Sequence, residues 1–208
     1  MLMSDEVSRQ PSLLTLITSE SMQIEDTAIS GVKILTAPRF TDRRGFFAEW
    51  FNRAKLKEAG IDLDFCQDNI SLSTHVGTLR GLHFQLPPAE QTKLVGVVRG
   101  RIFDVALDLR RGSPTYRRHV AVELSADRCN QLLIPAGFAH GFCTLEPDSL
   151  VFYKVSSPFS APHDSGIRWN DPSLGIDWPV KESSAVLSEK DAKLPFLADT
   201  NLPFRYLG

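Results

Sequence analysis

The chain has no hydrophobic run approaching the roughly 20 apolar residues that a membrane-spanning helix needs. Its strongest early apolar stretch, Leu13-Leu14-Thr15-Leu16-Ile17, is too short for the core of a secretion signal. The N-terminus around Asp5 and Glu6 is acidic rather than basic. It has no block of like charge, and 23 Lys+Arg against 25 Asp+Glu leave a formal net charge of -2. A nucleic-acid partner, which calls for a basic patch, is not expected. An anionic small molecule stays open, because a few arginines in a pocket hold one without moving the net charge. There are only three cysteines, Cys66, Cys129 and Cys143. Their odd number and spacing fit neither a disulfide framework nor a zinc knuckle, so they read as reduced, mostly buried thiols in a reducing, cytoplasmic setting. Internal repeats and low-complexity segments are also absent.

What is present suits one globular domain: 208 residues, 42% hydrophobic and 23% charged. Residues 1–22 are polar with one short apolar patch and read as an N-terminal arm, leaving 23–208 as the domain. Short apolar runs then follow one another between Gly, Pro, Asp and Asn, the all-β pattern. Strands are expected at Val32–Ala37, Phe46–Trp50, Asp64–Ser73, Leu79–Gln85, Lys93–Val98, Arg101–Leu109, His119–Leu124, Gln131–Ile134, Gly141–Thr144 and Leu150–Val155. The clearest alternation is Phe103, Val105, Leu107 and Leu109 against Asp104, Ala106 and Asp108. Val98-Arg99-Gly100-Arg101 reads as a tight turn that makes Lys93–Leu109 a hairpin. Helices are expected at Asn52–Ala59, with Asn52 as N-cap and Gly60 as the stop, and near Ser188–Leu194. About ten short strands with few helices predict a jelly-roll, cupin-like barrel whose mouth can hold a small-molecule site.

Two segments concentrate chemistry. In Leu79-Arg80-Gly81-Leu82-His83-Phe84-Gln85 a strand turns His83 and Gln85 one way and Leu82 and Phe84 the other. If the apolar pair packs outward between layers, the polar pair faces the lumen. Lys93 shares a face with Val95 and Val97 on a later strand, so an ammonium and an imidazole meet in one low-dielectric cavity, a setting suited to forming an enolate. The second segment, Pro135-x-Gly137-x-x-His140, resembles the second cupin motif. Metal-binding cupins carry His-x-His in the first motif, where this chain has His83-Phe84-Gln85, and an asparagine where Thr144 stands. Glutamine is a poor ligand for a transition metal, so no metal and no cofactor are expected. Tyr153 lies on the face of Val151 and Val155 and points inward.

Together these pieces resemble the dTDP-4-dehydrorhamnose 3,5-epimerase family. The matching stretches, from about Ile24 to Pro195, are Asp42-x-Arg44-Gly45-Phe46-Phe47-x-Glu49, Gln67-Asp68-Asn69-x-Ser71, Leu79–Gln85, Lys93-Leu94-Val95, the run from Asp104 to Thr115, Ile134–Phe142, Tyr153-Lys154, Trp169-Asn170-Asp171 and Leu187–Asp191. The resemblance implies that His83 removes a proton from C5 and then C3 of a dTDP-linked 4-keto-6-deoxyhexose. Asp191 pairs with His83 and raises its basicity, Lys93 stabilises the enolate at C4, and Tyr153 returns a proton to the opposite face. Arg44, Arg80 and Lys190 are implied to hold the diphosphate. Glu49, Gln67, Asn69 and His140 are implied to line the sugar and nucleotide pocket. Phe159 takes the place of a tyrosine that stacks on the thymine, and Asp164 takes the place of a glutamate. A homodimer with exchanged strands is implied too.

The chemistry is coherent without the name. A proton beside a ketone is acidified because its carbanion delocalises onto oxygen. Inversion then needs a base on one face and an acid on the other. Three alternatives remain at this point: a relative that inverts one carbon or acts on another nucleotide keto-sugar, a metal-dependent cupin oxygenase, and a non-catalytic sugar-nucleotide-binding module.

Overall fold

The computed structural model describes residues 21–207. Of the arm expected at 1–22, only Ser21 and Met22 fall within this range. Thirteen strands follow: β1 Gln23–Asp26, β2 Lys33–Thr36, β3 Arg39–Asp42, β4 Gly45–Ala48, β5 Gln67–Ser73, β6 Leu79–Gln85, β7 Lys93–Arg99, β8 Arg101–Asp108, β9 His119–Ser125, β10 Asn130–Ile134, β11 Phe138–Thr144, β12 Ser149–Val155 and β13 Asp164–Gly166. Two short α-helices, α1 Arg53–Glu58 and α2 Glu189–Ala192, complete the regular structure with four 3-10 turns. The strands form a six-stranded sheet, β1-β2-β10-β7-β12-β5, a five-stranded sheet, β13-β6-β11-β8-β9, and the separate hairpin β3-β4. The two large sheets face each other as a jelly roll, the expected class of fold.

Each large sheet has apolar side chains packed on both of its faces. Between them Val95, Val97, Ile102, Ala106, Leu124, Ile134 and Val151 fill part of the lumen with apolar atoms. Outside the five-stranded sheet, Leu82, Phe84, Val105 and Leu107 pack on Ile167, Leu174, Leu197 and Phe204 from the C-terminal region. Outside the six-stranded sheet, Leu35, Leu94 and Leu133 are covered by Leu56 of α1 and by Ile61. Helix α1 ends as its sequence dictates: the Asn52 side chain accepts a hydrogen bond from the Lys55 N–H, and Gly60 takes φ +83 after the last turn.

The expected hairpin over Lys93–Leu109 does not form. β7 pairs with β10 and β12, while β8 pairs with β11 and β9 in the other sheet. Gly100, at φ +81, is a corner that carries the chain from one sheet to the other. The Ser149 hydroxyl sits so close that a Cβ on Gly100 would come within 2.5 Å of it. A turn signal marks a change of direction, not the identity of the strand that receives it. Boundaries move as well. β11 begins at Phe138 rather than Gly141, and β5 at Gln67 rather than Asp64. β1, β3 and β13, of three or four residues each, have no periodicity long enough to read.

Candidate active site

The lumen is apolar toward one end and polar toward the other. The polar end is a two-lobed cavity of about 370 Å³ and 270 Å³, and His83, Lys93, Tyr153 and Lys190 border both lobes. The outer lobe adds Gln67, Asn69, Gln85, Gln91, Phe159 and Asp164. The inner lobe adds Ser71, Arg80, His140, Phe142, Ser188 and Asp191.

His83 reaches this cavity because β6 alternates: Leu82 and Phe84 pack into the outer core while His83 and Gln85 turn inward. Its Nε2 lies 2.7 Å from Asp191 Oδ1. With the carboxylate ionised, Nε2 carries the proton and Nδ1 is the ring nitrogen left to accept one. Asp191 is buried at 3% exposure, yet its carboxyl lies below the usual range. Burial pushes it up, but the His83 hydrogen bond and charge, the Gly81 N–H and the Ser188 hydroxyl together pull it further down. Gly81, at φ +131, lies where a Cβ would come within 2.5 Å of the Gly141 Cα. That close approach coincides with a register shift between His140 and Phe142 where β11 meets β6.

Lys93 and Tyr153 come from the opposing sheet, on β7 and β12. The Lys93 ammonium crosses the lumen to donate to the His83 carbonyl at 3.4 Å. Burial pushes its pKa down to about 8, against the upward pull of the Asp164 and Asp104 carboxylates. Burial also raises the Tyr153 phenol, with Arg80 lowering it and Asp164 raising it. The imidazole and the phenol thus border the same cavity from opposing sheets.

Other expected residues divide into three groups. Arg80, Lys190 and Asp164 lie in the cavity. Arg80 is braced by donating to Ser73 Oγ at 3.2 Å and to the Leu72 carbonyl at 3.1 Å. Lys190 forms an ion pair with Asp164. Gln67, Asn69 and Phe159 stand at the mouth, where Phe159 is 59% exposed and free to stack. Gln67 accepts the Phe159 N–H at 2.9 Å and donates to Asn69 Oδ1 at 2.8 Å. Gln85 accepts the Ser160 N–H at 2.7 Å and donates to the Ala89 and Pro158 carbonyls. Two glutamines therefore pin the loop that presents the aromatic ring. With both ends of its amide engaged, Gln85 is committed to that loop.

Arg44 and Glu49 are not brought into the cavity of their own chain. Arg44 lies on the exposed β3-β4 hairpin paired with Asp42, and Glu49 binds Lys55 and Asn52. Ser71, Phe142 and Gln91 also line the cavity without having been expected there, and Asp104 lies buried behind His140, 2.7 Å from its Nε2. Ser71 was within reach, since 67, 69 and 71 share one face of a strand. Among the described residues, no three His, Cys, Asp or Glu side chains converge as metal ligands, and no helix is long and apolar enough to cross a membrane.

An imidazole, a phenol and a buried ammonium about one cavity in a cupin-like barrel are the groups that an isomerase working by proton transfer at carbon requires. The comparisons narrow this class. A family model described as dTDP-4-dehydrorhamnose 3,5-epimerase matches residues 26–199, and the chain belongs to that family. A relative of that name from Sinorhizobium fredii is 47% identical over 90% of this chain and 96% of its own length. A crystal structure of the epimerase from Bacillus anthracis, with TDP and PPi bound, is 50% identical, covers 85% of this chain and 99% of its own, and has a TM-score of 0.82. Another, from Legionella pneumophila in complex with dTDP-4-keto-L-rhamnose, is 41% identical over 90% of this chain and 100% of its own, with a TM-score of 0.85.

Proposed function

We propose that the chain inverts C3 and C5 of dTDP-4-dehydro-6-deoxy-D-glucose to give dTDP-4-dehydro-L-rhamnose. The observation that carries this reading is that His83 on β6 and Tyr153 on β12 border one cavity from opposing sheets, with the Lys93 ammonium in the same cavity. His83 Nδ1 takes the proton from the carbon beside the ketone. The bonding electrons move onto the C4 oxygen, where the Lys93 ammonium stabilises the enolate. The Tyr153 hydroxyl delivers a proton to the other face of the ring, and the resulting imidazolium and phenolate exchange with solvent before the second inversion. Asp191 holds the imidazole in the tautomer that leaves Nδ1 free. Arg80 and Lys190 supply charge for the diphosphate, and Phe159 supplies a face for the base.

The working unit in this proposal is a homodimer in the cytoplasm. Its support is the β3-β4 hairpin, which pairs with neither large sheet and exposes Phe46 at 51% and Phe47 at 69%. Arg44, a cation suited to a diphosphate, and Glu49, an acceptor suited to the sugar or nucleotide, are carried on or just beyond this hairpin, away from their own cavity. A second copy gives the hairpin a partner and gives these residues a site.

The test is incubation with the 4-keto-6-deoxyglucose nucleotide in heavy water, read by NMR. Solvent deuterium is expected at both C3 and C5. His83→Ala is expected to abolish exchange at both carbons while nucleotide affinity stays within about threefold. Label at one carbon only would make the chain a mono-epimerase, and full turnover by the variant would remove His83 from the reaction.

A further inference from the structure

The chemistry above leaves one wholly buried carboxylate on the lumen wall without a task. Asp104 faces inward on β8 between Ile102 and Ala106 and is 0% exposed. Its Oδ1 accepts from His140 Nε2 at 2.7 Å, while its Oδ2 is buried with no hydrogen-bond partner. A buried carboxylate costs several kcal/mol unless its oxygens are satisfied. Asp108, on the same face of the same strand, shows how the fold satisfies a structural one: the Arg110 guanidinium and the Ser113 and Thr115 hydroxyls all donate to it. Asp104 has no such belt and no turn to hold together.

What surrounds it is the site. His140 on β11 is the register partner of His83 on β6, so the two histidines lie side by side on one wall, each with Nε2 tied to an aspartate. Both border the inner lobe. The charged and titratable groups about Lys93 are Asp104 from β8, Asp164 from β13, His83 and Arg80 from β6, His140 from β11, Tyr153 from β12, and Lys190 and Asp191 from α2. Its neighbours in register on β10 and β12 are the apolar Ile134 and Val155. Asp164 and Asp104 are the two carboxylates that hold the ammonium up against burial, and Asp164 already carries an ion pair with Lys190. Asp104 keeps one oxygen uncommitted.

We propose that Asp104 is a positioning residue for the epimerisation, orienting the His140 ring against the sugar and supplying the buried negative charge against which Lys93 is held. The orienting role rests on the epimerase reading; the coupling of Asp104 to Lys93 does not. Under this assignment the unsatisfied oxygen is not an error of packing. It is a fixed negative potential placed behind the cation, so that the ammonium persists in a dry cavity until an enolate needs it.

The test uses Asp104→Asn, which keeps shape and an acceptor but removes charge, with Asp104→Glu and His140→Gln beside it. Lys93 is titrated by NMR of lysine-labelled protein, and kcat and KM are followed against pH. Asp104→Asn is expected to move the Lys93 titration and the alkaline limb of kcat down by about one pH unit. It is also expected to lower kcat at least tenfold with KM within about twofold. His140→Gln is expected to lower kcat and leave the Lys93 titration within about 0.3 unit. Asp104→Glu is expected to return that titration toward the parent. In the unaltered protein, nitrogen NMR is expected to find His140 protonated at Nε2, a measurement that stands even if Asp104→Asn fails to fold. A folded Asp104→Asn with the parent's Lys93 titration, or the opposite tautomer at His140, overturns the proposal. Loss of epimerisation in the parent overturns the preceding section instead and leaves the Lys93 titration to judge the charge coupling.

Discussion

Lys93 shows most directly what burying a cation costs this fold. Its pKa falls from 10.5 to about 8 because the ammonium is buried. A lysine lowered in the folded state destabilises the fold wherever both states are protonated, below about pH 8, and the penalty fades as pH rises toward the unfolded value. Lys93→Met is therefore expected to stabilise the protein at pH 7 by on the order of 2–3 kcal/mol. That gain should shrink steadily by pH 10, as measured by urea unfolding at both values. The same variant is expected to lose turnover at every pH, since the enolate loses its cation. In the parent, kcat/KM should fall as pH rises through about 8, where the ammonium is lost. Tyr153 is separable from His83 in the same way. Tyr153→Phe removes the acid but not the base, so wash-out of substrate label at the first carbon should persist within about tenfold while net inversion drops by at least a hundredfold. Equal loss of both would make the phenol part of proton removal.

At the scale of the element, α2 shows how little helix is needed to place the carboxylate that binds His83. Four residues cannot sustain a helix alone, because nucleation costs more than one turn returns. The turn persists because the Ser188 hydroxyl accepts the Asp191 N–H at 3.0 Å and because Leu194 packs down beside Gly166. The cap residue Ser188 is thus joined directly to the aspartate that binds His83. Ser188→Ala is expected to cost about 1 kcal/mol of stability and to lower kcat several-fold with KM little changed, with Ser188→Thr restoring both. This helix is legible in the sequence as a short element near Ser188–Leu194, because the signals that start it lie within a few residues of one another. The β7-β8 connection was not. Its turn residues are as local, but the partners of each strand lie at β10, β12, β11 and β9, and no pattern within the turn encodes them. Alternation on β8 was read correctly as a strand, yet the aspartate face looks into the lumen rather than out to water. Period two reports that two faces differ and is silent on which one meets the cavity.

At the scale of the whole molecule, the outward apolar surface gathers on the β3-β4 hairpin, with Phe40 at 49% exposure beside Phe46 and Phe47, and on the edge strand β5, with Ile70 at 66% and Leu72 at 47%. Apolar side chains concentrated on an unpartnered hairpin and a free sheet edge are what an interface requires. Replacing both Phe46 and Phe47 with Asp is expected to shift the protein to monomers in analytical ultracentrifugation. If the hairpin completes the neighbouring site, Arg44→Ala and His83→Ala chains, each inactive alone, should recover activity when co-expressed, because one of the two mixed sites keeps both residues. No recovery would confine Arg44 to its own chain or remove it from the reaction.

The sequence by itself determined the class of fold, nearly every longer strand, both helices with the Asn52 cap of the first, and the inward set His83, Lys93 and Tyr153. Each of these is written in spacings of two to four residues, where backbone geometry alone decides which side chains share a face. Only the tertiary structure decided that β7 and β8 part company, that Asp104 meets His140, that Gln67 and Gln85 hold the Phe159 loop, and that Arg44 and Glu49 stand away from their own cavity. Those outcomes depend on the total burial of two sheets and on partners as many as 92 residues apart, as between Gln67 and Phe159. No local spacing carries that information.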